Sequence, residues 1–403
     1  MTLRRLFTLS LVWVSACGGP RVIEVRSVAP ADTARPVAGK AAVPARLVPP
    51  PVPDPASAES TYGRTFLRLS EPAGYFPSEN VVSNETSYLH VLDAMRRVGV
   101  KGGAYIGVGP DQNFSYIAAV RPEVAFMFDI RRDAMLEHQL FKAVFAMSRN
   151  RLEYLCILTA KPVPADVAGW KDSSINALVS FIDKTSASVE FAKSSEADIE
   201  ARARSFGIPL SDNDVGVLAL YRAAFIRFGL DVQYSSLNGN MSMNMPDWRN
   251  LLLEVDRAGN QLNYLAADSL FQFVKKMEAE NRIIPVTGNA AGATALRRIG
   301  DEIRARGLTV SALYMSNVEQ YLFRDLVFNA FADNVATLPR TERSVIIRSL
   351  FGQGRGGGGG WHPLSVAGYN STQILQSMDS FVAAHQAGRI QTYNDLLSDY
   401  IRP

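Results

Sequence analysis

Two glycines and an acid are spaced as in sites that bind a nucleotide or nucleoside. Gly107 and Gly109 close a short apolar run that begins at Ala104, and Asp129 stands twenty positions after Gly109, near the end of a second apolar run. Glycines in a tight strand-to-helix turn let the backbone approach a ligand closely, and the first backbone amides of the helix offer it hydrogen-bond donors. An acid at the end of the next strand can hold ribose hydroxyls. The pattern therefore predicts a pocket for a ribose-bearing ligand.

Two polar residues follow the glycine turn, and each admits two interpretations. Pro110 is expected at the first turn of a helix, where proline is tolerated, so Asp111 and Asn113 fall within that turn as well. Both side chains can face a bound cofactor. An acid in a first helical turn is also favoured by the helix dipole alone, and Asn113 is ambiguous for the same reason. We predict both as cofactor-binding residues and leave a purely structural role open.

The rest of the chain alternates apolar runs typical of buried strands with stretches of helical periodicity. The two runs above predict strands at 104–108 and 124–130, and further strands are predicted at 283–286, 308–315 and 344–351. Helices are predicted at 133–147, 294–306 and 317–334. Residues 150–281 show helical patterns and no obvious buried strand, which predicts a helical insertion. The alternation predicts an α/β fold with a mostly parallel sheet and helices on both of its faces.

Four candidate residues lie at the ends of predicted strands. They are Gly107, Asp129, Asn289 and Asn317. In open α/β sheets, ligands bind beyond the carboxyl ends of the strands. The shared position therefore predicts that these residues belong to one site.

Four segments of the chain together resemble one family. They are YFPSENVVSNETSYLHVL (75–92), YIGVGPDQNFSYIAAVRP (105–122), FDIRR (128–132) and YMSNVEQYLF (314–323). They resemble an uncharacterised bacterial lipoprotein or secreted family with the Rossmann-like core of the S-adenosylmethionine-dependent methyltransferases. The resemblance covers roughly residues 62–400. A dinucleotide site fits less well, because Gln112 replaces the third glycine of G-x-G-x-x-G.

The resemblance implies S-adenosylmethionine as the cofactor and roles for three further residues. Asn289 stands where methyltransferases place a polar or acidic residue near the adenine, whereas Asn317 and Glu319 stand in the segment that faces the substrate. Ser316 and Glu319 also form the pattern of a capping box, so Glu319 stays open between capping and catalysis. The chain lacks the Asp/Asn-Pro-Pro-aromatic motif of amino methyltransferases, which argues against transfer to nitrogen.

Two polar pairs beside the predicted core also admit alternatives. Asn84 and Glu85 precede a helix predicted at 86–97, and they either cap this helix or close over the pocket. Arg131 and Arg132 follow the acid at the end of the second strand. They either neutralise that acid or an anionic ligand, or form a solvated pair at a helix start.

The N-terminus carries the pattern of a bacterial lipoprotein signal peptide. Arg4 and Arg5 precede an apolar run at 6–14, and Val14-Ser15-Ala16-Cys17 has the form of a lipobox. The run is too short to span a bilayer, which needs about 20 apolar residues. The resemblance implies cleavage before Cys17 and its acylation, as by palmitate, which anchors the chain in a membrane of the cell envelope. We expect the outer membrane, on its periplasmic or surface face. An ordinary cleaved signal with an incidental cysteine is the alternative.

Composition restricts the remaining partners and cofactors. Residues 17–60 are predicted to be a proline-rich tether, and residues 61–403 a folded domain. Removing residues 1–16 takes away two arginines and no acid and lowers the formal net charge from +3 to +1, so no nucleic-acid partner is expected. The four histidines show no metal-ligand spacing, and Cys156 is expected to be a buried, unreactive thiol. No metal is predicted.

Two expectations conflict, and they lead to a predicted function and an alternative. A methyltransferase needs S-adenosylmethionine, whereas an exported lipoprotein faces a compartment with no evident supply of that molecule. We predict a membrane-anchored lipoprotein of methyltransferase-like fold that binds S-adenosylmethionine or a related nucleoside-type ligand, with its acceptor substrate open. The alternative is a non-catalytic extracytoplasmic ligand-binding or scaffold lipoprotein with the same fold.

Overall fold

The folded domain is built on one six-stranded sheet. The computed structural model describes residues 60–238, 245–351 and 362–402. The strands are β1 (Ala104–Val108), β2 (Val124–Asp129), β3 (Ile283–Thr287), β4 (Val310–Ser316), β5 (Arg340–Phe351) and β6 (Ser371–Ser377). They lie in the order β3-β2-β1-β4-β5-β6; the first five are parallel, and β6 pairs antiparallel with β5. The predicted Rossmann-like α/β class is confirmed.

Fifteen α-helices accompany the sheet in the part of the chain that the structure describes. They are α1 (Thr61–Leu69), α2 (Leu92–Val98), α3 (Gln112–Val120), α4 (Arg132–Met147), α5 (Arg151–Leu158), α6 (Ile175–Lys184), α7 (Val189–Ser205), α8 (Asp212–Phe228), α9 (Trp248–Leu253), α10 (Asp268–Ala279), α11 (Ala295–Ala305), α12 (Val318–Arg324), α13 (Phe328–Ala336), α14 (Met378–Gln386) and α15 (Tyr393–Ser398). Short 3-10 helices lie at Tyr88–Val91, Val167–Trp170, Gly229–Asp231 and Ser236–Asn238. Helices α5 to α10 occupy the stretch between β2 and β3 where the sequence predicts a helical insertion.

The winding of the chain places a crevice between β1 and β4. Strands β1, β2 and β3 are buried along their whole length, as expected for parallel strands covered on both faces. The chain steps outward from β1 to β3, then returns past β1 to β4 and continues to β5. Because such crossovers are right-handed, α3 and α4 cover one face and α11 to α13 cover the other. The direction changes between β1 and β4, where open α/β sheets bind ligands.

Two predicted helix starts are wrong because local side chains hold the backbone in other conformations. Helix α3 begins at Gln112, so Pro110 precedes the helix instead of lying in its first turn. The Asn113 amide donates to the carbonyl oxygens before it and stabilises this turn. The helix predicted at 86–97 begins as a 3-10 turn at residue 88. Thr86 and Ser87 instead hydrogen-bond the segment that enters β6.

Other differences lie at the far edge of the sheet. The single helix predicted at 317–334 is interrupted between α12 and α13, where Leu326 adopts a left-handed backbone conformation with φ of 59°. Strand β5 begins at Arg340, four residues earlier than predicted. Strand β6 was not predicted, because its sequence STQILQS contains mostly polar residues although nearly all of them are buried.

Of the two cysteines, Cys156 lies within the described residues and Cys17 does not. Cys156 lies buried in α5, and burial raises the pKa of its thiol to about 12, which leaves it protonated and unreactive. No described helix is both long and apolar enough to cross a membrane. The predicted signal peptide, Cys17 and almost all of the tether lie outside the described residues.

Candidate functional site

A cavity of about 560 Å³ opens at the carboxyl ends of β1 to β4. Its lining includes Gly109 after β1, Asp129 at the end of β2, Asn289 after β3 and Asn317 after β4. The volume is in the range of small-ligand sites, which measure about 300–1,000 Å³. The structure therefore brings four of the predicted site residues together around one space.

A segment that precedes β1 forms the outer wall of this cavity, and we call residues 74–85 the cover segment. The Gly74 amide donates to the Ile130 carbonyl oxygen at 2.8 Å. Further along, the Tyr221 hydroxyl donates to the Glu79 carbonyl oxygen at 3.0 Å. These bonds fix the cover segment to the strand that carries Asp129 and to the helical insertion.

Asp129 is held by the arginine two residues after it. The Arg131 backbone amide donates to Asp129 Oδ1 at 2.9 Å, whereas the guanidinium lies 3.5 Å from Oδ2. Although burial opposes its charge, the adjacent Asp129 carboxylate raises the pKa of Arg131 above its ordinary value. Oδ2 therefore keeps most of its capacity to accept a hydrogen bond from a ligand.

The arginines after β2 do not form a solvated pair. Arg131 and Arg132 are both buried. Arg132 donates to both carboxylate oxygens of Asp214 in α8, at 2.8 and 3.0 Å. The solvated alternative is therefore wrong, because each guanidinium has a buried acid as its partner.

Behind the cavity, a chain of hydrogen bonds connects α3, the end of the cover segment, β4 and β6, and we call it the Glu85 network. Gln112 Nε2 donates to the Tyr314 hydroxyl at 2.8 Å, and that hydroxyl donates to Glu85 Oε1 at 2.7 Å. Ser316 also donates to Oε1, and Gln373 Nε2 donates to Oε2 at 2.9 Å. Burial raises the pKa of Glu85, while these donors oppose the rise. Glu85 is therefore a fully buried carboxyl group in the wall of the cavity.

The orientation of Gln112 leaves an acceptor available in the same wall. Because the Tyr314 hydroxyl donates to Glu85, it must accept from Gln112, which fixes the amide nitrogen of Gln112 on that side. Gln112 Oε1 is then buried and has no hydrogen-bond partner among the described residues. Since Gln112 lines the cavity, a bound ligand can supply the missing donor.

Gly107 and Asn113 shape the glycine turn from beneath and do not line the cavity. Asn113 Nδ2 donates to the carbonyl oxygens of Val108 and Pro110 at 2.8 Å, and Tyr105 donates to Asn113 Oδ1 at 2.7 Å. A Cβ atom on Gly107 would lie 2.0 Å from Asn113 Oδ1. Gly107 therefore makes room for an internal hydrogen-bonding side chain, and Gly109 is the glycine that faces the ligand space.

Asp111 also lies outside the cavity lining and points into the insertion. Its Oδ2 accepts from Trp248 Nε1 at 2.8 Å and from the Tyr264 hydroxyl at 3.3 Å. Burial raises the pKa of Asp111 to about 6, although both hydrogen bonds oppose the rise. This carboxyl group joins the glycine turn to the helical insertion.

Glu319 is enclosed between α12 and β5 and does not reach the cavity. Its carboxylate pairs with both Nε and Nη2 of Arg348, at 2.6 and 3.0 Å, and both side chains are 0% exposed. The N-cap of α12 is Asn317, which makes no side-chain capping bond, while Ser316 donates to Glu85 instead. The predicted capping box is therefore wrong.

The N-terminus of α11 is occupied by an acid of the chain itself. Glu71 Oε1 accepts from the backbone amides of Thr294 and Ala295, both at 2.7 Å, and Glu71 Oε2 accepts from the Asn289 amide at 3.2 Å. Although burial opposes it, the Thr294 hydroxyl, which also donates to Oε1, and these backbone amides lower the pKa of Glu71. The first backbone amides of α11 therefore already bind a carboxylate, and they are not available to a phosphate group of a ligand.

Comparison with protein families identifies where this architecture belongs. The domain of unknown function DUF7790 matches residues 80–172 and 191–400. The chain belongs to the DUF7790 family. The matched ranges of the DUF7790 domain contain all six strands and the residues of the Glu85 network. A search of curated proteins found no match.

The charges that line the DUF7790 cavity are mostly acidic. Glu85 and Asp129 are both buried in its wall, and Asp325 stands at its mouth. Among the described residues of the lining, Arg324 is the one that is basic; it is exposed and pairs with Asp325 at 2.8 Å. Within the described residues, no cluster of three or more potential metal ligands occurs. Arg131, which lies outside the lining, balances the charge of Asp129, whereas the hydrogen-bond partners of Glu85 among the described residues are all uncharged. The described lining therefore offers a buried acid to a ligand cation and no unpaired basic side chain to a phosphate.

Sequence reasoning missed three members of the Glu85 network: Gln112, Tyr314 and Gln373. Gln112 drew attention only because it departs from the dinucleotide glycine pattern, and Tyr314 carried no local signal at all. Glu85 was considered for both capping and closing over the pocket, and the structure places it in the cavity wall. The available signal was the polar residue Gln112 at the position of the third glycine, because an amide side chain there can hydrogen-bond other groups in the cavity wall.

Proposed function

We propose that this DUF7790 domain binds S-adenosylmethionine, or a related nucleoside that carries a positive charge, in the strand-end cavity, and that the bound molecule serves methyl transfer. The observation that carries the proposal is the buried Glu85, whose hydrogen-bond partners are uncharged, in a lining where the described basic residue, Arg324, is already paired with Asp325. A dinucleotide would bring phosphates, which proteins bind with free basic side chains or open helix N-termini. A sulfonium nucleoside brings a cation instead.

The residues present fit such a ligand. Asp129 Oδ2 has acceptor capacity for ribose hydroxyls, and Gln112 Oε1 is a buried acceptor that lacks a donor. Asn289 lies at the next strand end, where it can hydrogen-bond the base. When bound, S-adenosylmethionine supplies a methyl group activated by its sulfonium charge.

Glu85 gives the cavity a group that can take a proton from an acceptor molecule. Its Oε1 accepts two hydrogen bonds, whereas Oε2 accepts one, from Gln373. Burial raises the pKa of Glu85 above its ordinary value, although its hydrogen-bond donors oppose the rise. A carboxyl group of raised pKa is better suited to general-base work at neutral pH than an ordinary surface acid. We therefore assign proton acceptance to Glu85 Oε2 and leave Asn317 as a residue that positions the acceptor.

Calorimetric titration of the purified chain tests the proposal. We expect S-adenosylmethionine and S-adenosylhomocysteine to bind, and NAD⁺ to bind at least about tenfold more weakly, a difference of about 1.4 kcal/mol. Tighter binding of NAD⁺, or no binding of either adenosyl ligand, would overturn it.

A second candidate is ligand binding without methyl transfer, as in a scaffold or binding lipoprotein. It is favoured by the three hydrogen bonds that Glu85 already accepts and by the enclosure of Glu319 in its ion pair. Glu85→Gln separates the two candidates once an acceptor molecule is known. Loss of transfer with retained nucleoside affinity supports catalysis, whereas a wild-type chain that binds the nucleoside and never transfers supports the binding protein.

We also propose that the domain is anchored in a membrane of the cell envelope through acylated Cys17. The support is the lipobox pattern that ends at Cys17. Cys17→Ser is expected to abolish incorporation of radiolabelled palmitate and to move the chain out of the membrane fraction. Cys156→Ser is the matched control, because that thiol is buried in α5. Label that persists in Cys17→Ser would contradict the anchor.

A further inference from the structure

The mouth of the cavity carries an exposed apolar patch beside the polar site. We call Tyr75, Phe76, Tyr321, Leu326 and Val327 the apolar rim. Five large hydrophobic residues are exposed in the described part of the chain, and three of them belong to this rim: Tyr75 at 63%, Leu326 at 92% and Val327 at 38%. Scattered exposed hydrophobic residues need no explanation, but a cluster at the entrance of a pocket marks a binding surface.

Leu326 is the least explained of these residues by the fold itself. It lies between α12 and α13 with φ of 59°, a conformation in which glycine is the most favourable residue and leucine is strained. The Val327 amide donates to the Leu322 carbonyl oxygen at 2.9 Å, so the turn is a regular helix end. Because the Leu326 side chain is 92% exposed, its packing does not offset this backbone strain. The leucine therefore stabilises neither the turn nor the core.

The rim is continuous with the interior of the cavity. Tyr75, Phe76, Tyr321 and Val327 all line it. The Phe76 ring meets the Tyr321 ring edge to face, with centroids 4.9 Å apart, and so joins the cover segment to α12. Leu326 itself does not line the cavity, but its chain neighbours Asp325 and Val327 both do, which places it at the edge of the apolar lining.

We infer that the apolar rim binds the hydrocarbon or aromatic body of the small acceptor molecule whose reactive group enters the cavity. The role of this molecule as a methyl acceptor rests on the proposed function, but its binding does not. Continuity with the cavity favours a small molecule over a second copy of the chain. A stable protein interface buries about 800 Å² on each partner, which is far more than five side chains around a pocket mouth provide.

A neutral apolar fluorophore, N-phenyl-1-naphthylamine, tests the inference without any nucleoside present. The full chain is expected to bind it saturably with enhanced emission. Leu326→Gly should weaken binding about fivefold or more, because one apolar side chain at the site is lost. The unfolding temperature of this variant should stay the same or rise, because glycine relieves the left-handed turn. Tyr321→Ala should weaken the probe as well.

Leu220→Ala is the matched control, since Leu220 is exposed at 43% on α8 and does not line the cavity. It should leave probe affinity unchanged. Equal probe binding by Leu326→Gly and wild type would overturn the inference, as would equal weakening by the control. A change of sedimentation mass in Leu326→Gly would overturn it in favour of an interface between copies. Probe binding combined with no adenosyl binding would sustain the rim and reject the proposed function.

Discussion

The Arg131 guanidinium contacts Asp129 and the cover segment at the same time. Its Nε lies 3.4 Å from Asp129 Oδ1, and its Nη1 donates to the carbonyl oxygens of Ser78 and Glu79 at 2.7 Å each. One side chain thus fixes both the acid at the end of β2 and the outer wall of the cavity. Changes to this pair are expected to alter ligand affinity and stability together.

Asp129→Ala should weaken binding of the adenosyl ligand by about tenfold to a hundredfold, because a hydrogen bond to a charged group contributes about 1.5–3 kcal/mol. It should also lower the free energy of unfolding by about 3 kcal/mol, because Arg131 is left as a buried charge without its partner. Calorimetry and urea unfolding measure the two effects.

Asp214→Ala is the control for this prediction, because it breaks the similarly buried Arg132 pair away from the cavity lining. It should reduce stability and leave affinity unchanged. If both variants bind the ligand as the wild type does, Asp129 does not contact ribose.

The two glycines of the turn are expected to respond differently to alanine. Gly107→Ala places a Cβ atom 2.0 Å from Asn113 Oδ1 and 2.6 Å from the Tyr105 hydroxyl, so it should cost about 3 kcal/mol of stability through overpacking. Gly109→Ala meets nothing closer than 3.6 Å but has φ of 84°, which costs about 1–2 kcal/mol. Because only Gly109 lines the cavity, only its substitution should also weaken adenosyl binding at temperatures where both variants are folded.

The core strands and the site edge could be predicted because their signals are local. Strand β1 has the predicted bounds, since a short apolar run that ends in a glycine turn is typical of a buried strand in an alternating chain. The acid ending β2 and the asparagines after β3 and β4 follow from the same alternation, because parallel strands end at one edge. No long-range information was needed for Asp129, Asn289 or Asn317.

The roles of the remaining polar residues depend on partners that are distant in sequence. Asp111 bonds Trp248, 137 positions away, and Glu85 bonds Gln373, 288 positions away. A buried acid and a pocket acid look identical in a single sequence, because both stand beside apolar residues. The unpredicted β6 has the same cause: the amide group of Gln373 is buried with distant partners, because its nitrogen donates to Glu85 and its oxygen accepts from Ser349.

Asp111 should make stability depend on pH in a defined direction. Its pKa of about 6 in the folded chain exceeds the unfolded value of about 3.9, so the folded state holds the proton more tightly between these values. The free energy of unfolding contributed by this group therefore falls as pH rises from about 4 to 6. The total loss is about 3 kcal/mol for a gap of about two pH units.

Asp111→Asn does not titrate and still offers an acceptor to Trp248. In urea unfolding, the free energy of unfolding of the variant minus that of the wild type should therefore rise by up to about 3 kcal/mol between pH 4 and pH 7. The contributions of the other carboxyl groups cancel in this difference. A difference between the two chains that does not change with pH would show that Asp111 titrates as an ordinary acid.

Glu319 and Asn317 both follow the end of β4, but their substitutions should differ in their effects on stability and on ligand affinity. Arg348→Met leaves the fully buried Glu319 carboxylate without a partner and should cost about 3–5 kcal/mol of stability. Adding Glu319→Leu should restore much of that loss, because apolar replacement of a buried pair is often neutral. The double variant should bind the adenosyl ligand like the wild type. A double variant that is stable but no longer supports transfer would return Glu319 to the catalytic candidates.

Asn317→Ala should instead keep the stability of the wild type and lose affinity for the acceptor, because Asn317 lines the cavity.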